Sequence, residues 1–160
     1  MLRPGYMFRS VADVTINFLK QNNIRGLIID IDNTLAKHDH PVPAEGVEAW
    51  MDKLHQNGIQ TVIISNNGYD RVRPFAEIFG VDYICDAKKP LPGSYKKAVA
   101  KMGLPKSQVA MVGDQLFTDT LGGNLAGVKT ILVNPIDSSE LRQIRFKRKL
   151  EDLIVKRVDD

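Results

Sequence analysis

Short runs of aliphatic and β-branched residues recur along the chain, and helical patterns alternate with them. GLIIDI (26–31), IQTVIIS (59–65), VDYIC (81–85), VAMVGD (109–114) and VKTILV (128–133) read as strands. Between them, AEGVEAWMDKLHQN (44–57) sets Val47, Trp50, Met51 and Leu54 on one helical face before the stop at Gly58. Residues 70–79 read as a helix ended by Gly80, with Pro74 tolerable only in its first turn. GSYKKAVAKM (93–102) is a helix closed by Gly103, and TDTLGGNLA (118–126) a short one. Gly122 and Gly123 are poor helix formers, so they either permit close backbone packing or shorten that helix. Upstream, Ser10 with Asp13 resembles a capping box for a helix over 11–21. A last helix is predicted over 138–157, with Leu141, Ile144, Leu150, Leu153 and Ile154 as its apolar stripe.

Strand and helix alternating in this way predict an α/β fold: a doubly wound parallel sheet of about five strands with helices on both faces. The nearly continuous Val and Ile content of the strands suits a sheet covered on both sides. At 160 residues the chain is read as a single domain, 1–160. Only 32 residues separate Asp32 from Ser65, and 23 separate Ser65 from Lys89, each gap filled by one helix and one strand. Neither has room for an inserted cap domain. The segment AKHDHPVP (36–43) can form only a short flap.

The bulk composition is that of a globular protein, 43% hydrophobic and 26% charged. No apolar run reaches the roughly 18–20 residues needed to span a bilayer, and the start, MLRPGYMFRS, lacks the apolar stretch of a secretory signal. The one cysteine, Cys85, allows no intrachain disulfide and reads as a small core residue. These features fit a cytoplasmic protein. A net charge of +3 gives no reason to expect a nucleic-acid partner. The basic run RQIRFKRK (142–149) reads first as the solvated face of the last helix. Its alternative is a patch for an anionic partner, either a membrane surface met peripherally or a phosphorylated substrate.

In an open parallel sheet, ligands bind beyond the carboxyl ends of the strands. The chemistry-bearing residues fall there. The first motif strand ends in Asp30 and Asp32, the second in Ser65, Asn66 and Asn67. Lys88 and Lys89 follow the third, and Gly113-Asp114 ends the fourth, with Asp119 five residues on. Asp30 and Asp32, two apart on an extended strand, face the same way. Anions so close raise one another's pKa unless a cation sits among them. An all-oxygen set suits Mg²⁺. His38 and His40 flank Asp39 but have no third ligand at metal spacing, so they read as solvated. A carboxylate nucleophile, a divalent metal, a lysine and a hydroxyl together are the parts of a phosphoryl-transfer site.

These residues resemble those of a known family. DIDNT (30–34) matches the DxDx[TV] signature of the haloacid dehalogenase-like (HAD) superfamily. Ser65, Lys89 before Pro90, and GDQLFTD (113–119) are similar to its second, third and fourth motifs, together covering 26 to 133. The details DNTL, SNN, KKPLP and GDQLFTDTLGGN look most like the subfamily IIIA phosphatases of the bacterial YqeG type, relatives of mitochondrial phosphatidylglycerophosphate phosphatases. The resemblance implies a capless, Rossmann-like domain that hydrolyses a phosphate monoester through an aspartyl-phosphate. It implies Asp30 as nucleophile and metal ligand, and Asp32 as general acid/base with its backbone carbonyl on the metal. Ser65 and Asn66 would bind phosphoryl oxygens, and Lys89 would stabilise their charge. Asp114 would ligate Mg²⁺ directly, and Asp119 directly or through water. Thr34 would fix the loop geometry. A lipid phosphate such as phosphatidylglycerophosphate is the substrate the relatives suggest. An open site of this kind suits large substrates or a homodimer whose partner acts as a lid. The alternatives are transfer to an acceptor other than water, or a phosphate-binding regulatory module using the same pocket.

Overall fold

A computed structural model describes residues 1–137. Its centre is one parallel sheet of six strands, where the sequence predicts about five. The strands are β1 (Tyr6–Phe8), β2 (Gly26–Ile29), β3 (Gln60–Ile64), β4 (Asp82–Ile84), β5 (Val109–Gly113) and β6 (Lys129–Val133). They lie in the order β1-β6-β5-β2-β3-β4. Among the described residues five α-helices accompany them: α1 (Ile16–Gln21), α2 (Val47–Gln56), α3 (Tyr69–Phe79), α4 (Gly93–Met102) and α5 (Leu121–Ala126).

The pleat divides each central strand between two apolar layers. Leu27, Ile29, Ile63 and Val112 enter one, with Leu19, Trp50, Leu54 and Phe75 from α1, α2 and α3. Ile28, Val62, Ile64 and Met111 enter the other, with Tyr95, Ala98 and Met102 from α4 and Ala126 from α5. Both faces are therefore covered, as the unbroken aliphatic strands require.

The sixth strand is β1, which pairs in parallel with β6 through Tyr6↔Ile131 and Phe8↔Val133. It has three residues, none β-branched, and no local pattern marks it as a strand. The pairing with β6 makes it one. The predicted helix over 11–21 is broken into a 3₁₀ turn (Val11–Asp13) and α1. The cap of α1 is Thr15, whose Oγ1 accepts from Phe18 N at 3.1 Å. Ser10 instead meets the Asp13 carboxylate side chain to side chain. Pro74 lies in the second turn of α3, not the first; it is exposed, so the Asp70 carbonyl it leaves without a donor can reach water. The predicted 118–126 helix opens with a π turn, Leu116–Thr120, before α5. There Gly122 serves close packing, since a Cβ would collide with the Tyr95 ring from α4. The predicted helix 138–157 and the basic run 142–149 lie outside the described residues.

The chain leaves β2 toward β3 and β4 on one side, then returns to build β5 and β6 on the other, where β6 pairs with the N-terminal β1. The order reverses between β2 and β5, and such a switch point opens a crevice at the carboxyl ends of the strands. No domain is inserted there among the described residues: four residues separate β3 from α3, and β2 leads to α2 through residues 30–46.

Candidate active site

Asp30 leaves β2 at the switch point, where its N–H donates to Val112 O of β5 at 3.0 Å. The chain then folds tightly. The Ile31 carbonyl accepts from Thr34, Leu35 and Ala36, and Asn33 takes a left-handed turn (φ 61°), a conformation asparagine tolerates. This turn drives Thr34 inward, where its Oγ1 donates to Asp114 Oδ1 at 3.2 Å. The Ala44 N–H bonded to Leu35 O closes the base of a flap over residues 37–43.

Lys89 reaches the same spot from the loop after β4. Its Nζ lies 2.8 Å from Asp30 Oδ1 and 2.6 Å from Asp119 Oδ1, and its side chain is 4% exposed. Asn66 fixes that loop: its Oδ1 accepts from Lys89 N at 2.7 Å and its Nδ2 donates to Lys89 O at 3.3 Å. The amide of Asn66 is thus engaged with the Lys89 backbone, a contact the sequence does not reveal. Lys88 is exposed. Ser65 directly follows β3 with its Oγ accepting from Asn67 N at 3.0 Å, so the hydroxyl keeps its own proton to donate. The cap of α3 is Gly68.

Asp119 arrives on the π turn. Its N–H returns to Gln115 O, and its Oδ2 accepts from Gln115 N at 3.2 Å. The turn lays Asp119 across Gly113, where any Cβ would collide with its carboxylate. Asp30, Asp114 and Asp119 each offer an oxygen within 4.8 Å of the others, and all three residues are buried. The burial of Asp30, opposed by Lys89 and reinforced by Asp119 and Asp32, pushes its carboxyl up to about 7. Lys89 moves the other way from what burial favours: the carboxylates of Asp119 and Asp30 outweigh the desolvation and raise its pKa. Among the described residues, the Lys89 ammonium pairs with two of these three buried carboxylates, those of Asp30 and Asp119. The hard oxygen donors of the trio fit a divalent cation such as Mg²⁺.

The carboxylate of Asp32 stands outside this trio. Its Oδ1 accepts from Asp39 N at 2.8 Å and from Arg71 Nη2 at 2.9 Å, and its Oδ2 accepts from Asn67 Nδ2 at 2.6 Å. Sequence reasoning missed Arg71 altogether. One signal was available: a cation in the first turn of a helix opposes the helix dipole and calls for another reason to be there. His38 pairs with Asp39 at 3.3 Å on the exposed flap, and His40 Nδ1 meets Val42. Asp30, Asp32, Ser65, Asn66 and Lys89, together with His38 and Thr118, line one cleft of about 110 Å³.

Comparison with known proteins identifies the family. Residues 30–127 match the haloacid dehalogenase-like hydrolase family. The chain is 38% identical over 152 residues to the probable phosphatase YqeG of Bacillus subtilis, covering 95% of this chain and 88% of the relative. It is 29% identical to the chloroplastic phosphatidylglycerophosphate phosphatase 1 of Chlamydomonas reinhardtii, covering 96% of this chain but 61% of that longer protein. In fold it is similar to the cobalt-bound deoxy-D-mannose-octulosonate 8-phosphate phosphatase of Haemophilus influenzae, with a TM-score of 0.57 at 17% identity over 84% of this chain and 89% of that one. The chain belongs to the haloacid dehalogenase-like hydrolases and is a phosphoric monoester hydrolase of that family.

Proposed function

We propose that the enzyme is Mg²⁺-dependent and works through a phosphoryl group carried on Asp30. The observation that carries this reading is the meeting of Asp30 with Lys89, Asp114 and Asp119 in one buried cluster at the switch point. In the first step an oxygen of Asp30 attacks phosphorus, the bond to the leaving oxygen breaks, and Asp32 gives that oxygen its proton. In the second, Asp32 takes a proton from water as the water oxygen attacks phosphorus. The bond to Asp30 then breaks, releasing phosphate and restoring the carboxylate. Ser65 donates to a phosphoryl oxygen and Lys89 supplies positive charge. Asn66 acts by holding the Lys89 backbone against the cleft. Asp30, Asp114 and Asp119, with the backbone carbonyl of Asp32, would hold the metal. When bound, it neutralises charge on the phosphoryl oxygens.

For the substrate we favour a lipid phosphate of the phosphatidylglycerophosphate kind, the substrate named for the algal relative. Two observations support an apolar ligand portion. A groove of about 480 Å³, lined by Val11, Val42, Pro43 and Ile136 among others, opens beside the flap. Val42, Leu91 and Ile136, on loops after β2, β4 and β6, and Tyr69, at the start of α3 after β3, are all exposed. Basic residues 142–149 would add attraction to an anionic bilayer from the cytoplasmic side. No helix among the described residues is long and apolar enough to cross a membrane.

The test is a panel of phosphate esters with Mg²⁺ or with chelator: p-nitrophenyl phosphate, sugar and nucleotide phosphates, and phosphatidylglycerophosphate in mixed micelles. We expect Mg²⁺-dependent phosphate release, fastest with the micellar lipid. Acid quenching with labelled substrate should leave phosphate on the wild type and none on D30N, which should keep its fold by circular dichroism and lose turnover. No release from any ester with Mg²⁺ would overturn the reading. A preference for soluble esters without vesicle binding would overturn only its lipid part.

A further inference from the structure

We infer that Arg71 is a positioning residue for Asp32, locking the flap and the proton-carrying carboxylate into one arrangement; this rests on the proposed role of Asp32 as acid and base. The guanidinium is shared between two walls of the cleft. Nη2 meets Asp32 Oδ1 at 2.9 Å, and Nη1 donates to the flap carbonyl of His40 at 2.7 Å. The flap returns the contact, since Asp39 N donates to the same oxygen of Asp32. Asn67 holds the other oxygen from the α3 side. The ring of Phe75, one turn further along α3 and buried, lies 5.2 Å from the guanidinium carbon and fixes its plane.

An ordinary surface ion pair would look different. The pair is shielded, with side-chain exposures of 16% for Arg71 and 13% for Asp32. Arg71 Nε is buried with no hydrogen-bond partner among the described residues, a cost that a solvated arginine would not carry. Its place in the first turn of α3 also sets a cation against the helix dipole. Both penalties are tolerated for a fork that spans Asp32 and His40 at once. A lysine ammonium brings charge to the site without that planar two-way geometry.

Removing the fork frees the Asp32 carboxylate to turn away from the leaving oxygen and uncouples the flap. The effect falls on proton delivery, and so depends on the leaving group. p-Nitrophenolate departs without a proton, whereas an alkoxide needs one. The experiment measures kcat/KM, which reports phosphoryl transfer to Asp30, for p-nitrophenyl phosphate and for glycerol 3-phosphate or phosphoserine as the alkyl ester. In R71M we expect the alkyl ester to lose at least about tenfold more than the aryl ester. R71K should fall between R71M and the wild type, and it supplies the same ratio if R71M does not fold. D32N should show the larger split, and D32N/R71M should be no slower on the alkyl ester than D32N alone. Equal losses on both esters in R71M, or additive losses in the double variant, beside a split in D32N overturn the role of Arg71 alone. Absence of a split in D32N removes the acid itself, and this inference with it.

Discussion

Lys89 illustrates how single residues carry both fold and chemistry here. Its ammonium is the cation seen bridging Asp30 and Asp119, and all three side chains are nearly solvent-free. Breaking a buried pair by removing one partner leaves uncompensated charge and costs about 3–5 kcal/mol. K89M should therefore lower the thermal midpoint in chelator as well as abolish turnover, and Mg²⁺ should restore part of the midpoint without the activity. Thermal denaturation with and without Mg²⁺ checks this; an unchanged midpoint in chelator would mean the carboxylates shed their charge at no cost. Lys89, Asp30, Asp114 and Asp119 were legible in the sequence because each interrupts or follows an apolar strand run, where a polar residue must have a reason. Asn67 and Arg71 were not singled out with a role. They are ordinary polar residues at the start of a helix, and their partner, Asp32, lies 35 and 39 positions away. Only the fold brings them together.

The same contrast holds for elements. The five strands read from the sequence are present: the central β2, β3 and β5 are largely buried on both faces and so mainly aliphatic, a composition visible locally, whereas β4 at the sheet edge is only half-buried. β1 escaped notice because three residues become a strand only through β6. The break between the Val11–Asp13 turn and α1 escaped because Thr15 outcompetes Ser10 as a cap. The sequence reads a short helix over 118–126, so residues 118–120 of the π turn are taken for its first turn; the hydrophobic spacing is too similar over so short a stretch to separate the two. That turn has a function, because the wider winding lays Asp119 over the end of β5, where Gly113 leaves room. G113A should push the Asp119 carboxylate off Lys89. The expected outcome is a loss of about 1–3 kcal/mol in denaturant unfolding, typical of overpacking, with a fall in turnover larger than that of an alanine at exposed Gly93, where a Cβ meets nothing. Similar turnover in the two variants would show that Asp119 tolerates displacement.

At the scale of the whole molecule, the acidic trio is assembled by topology. Asp30 comes from one side of the switch point, and Asp114 and Asp119 from the strand and turn that return some eighty residues later. In the unfolded chain these carboxylates are far apart and bind a divalent cation weakly, whereas the folded sheet holds one oxygen of each within 4.8 Å of the others. A ligand that binds the native state and not the unfolded one stabilises it by RT ln(1 + [L]/Kd), about 2.7 kcal/mol at a hundredfold excess over Kd. For a domain of this size, that corresponds to a rise in thermal midpoint of roughly 5–10 °C. Mg²⁺ added to chelator-treated protein should produce such a rise, saturating with concentration, with no substrate present. D114N removes a full ligand charge from the trio while changing little volume, and should flatten the response. R71M, outside the trio, should keep it. A midpoint indifferent to Mg²⁺ in the wild type would mean that Lys89 alone balances the cluster, and the metal-dependent reading of the site would fall; a rise that survives D114N would place the cation elsewhere on the molecule.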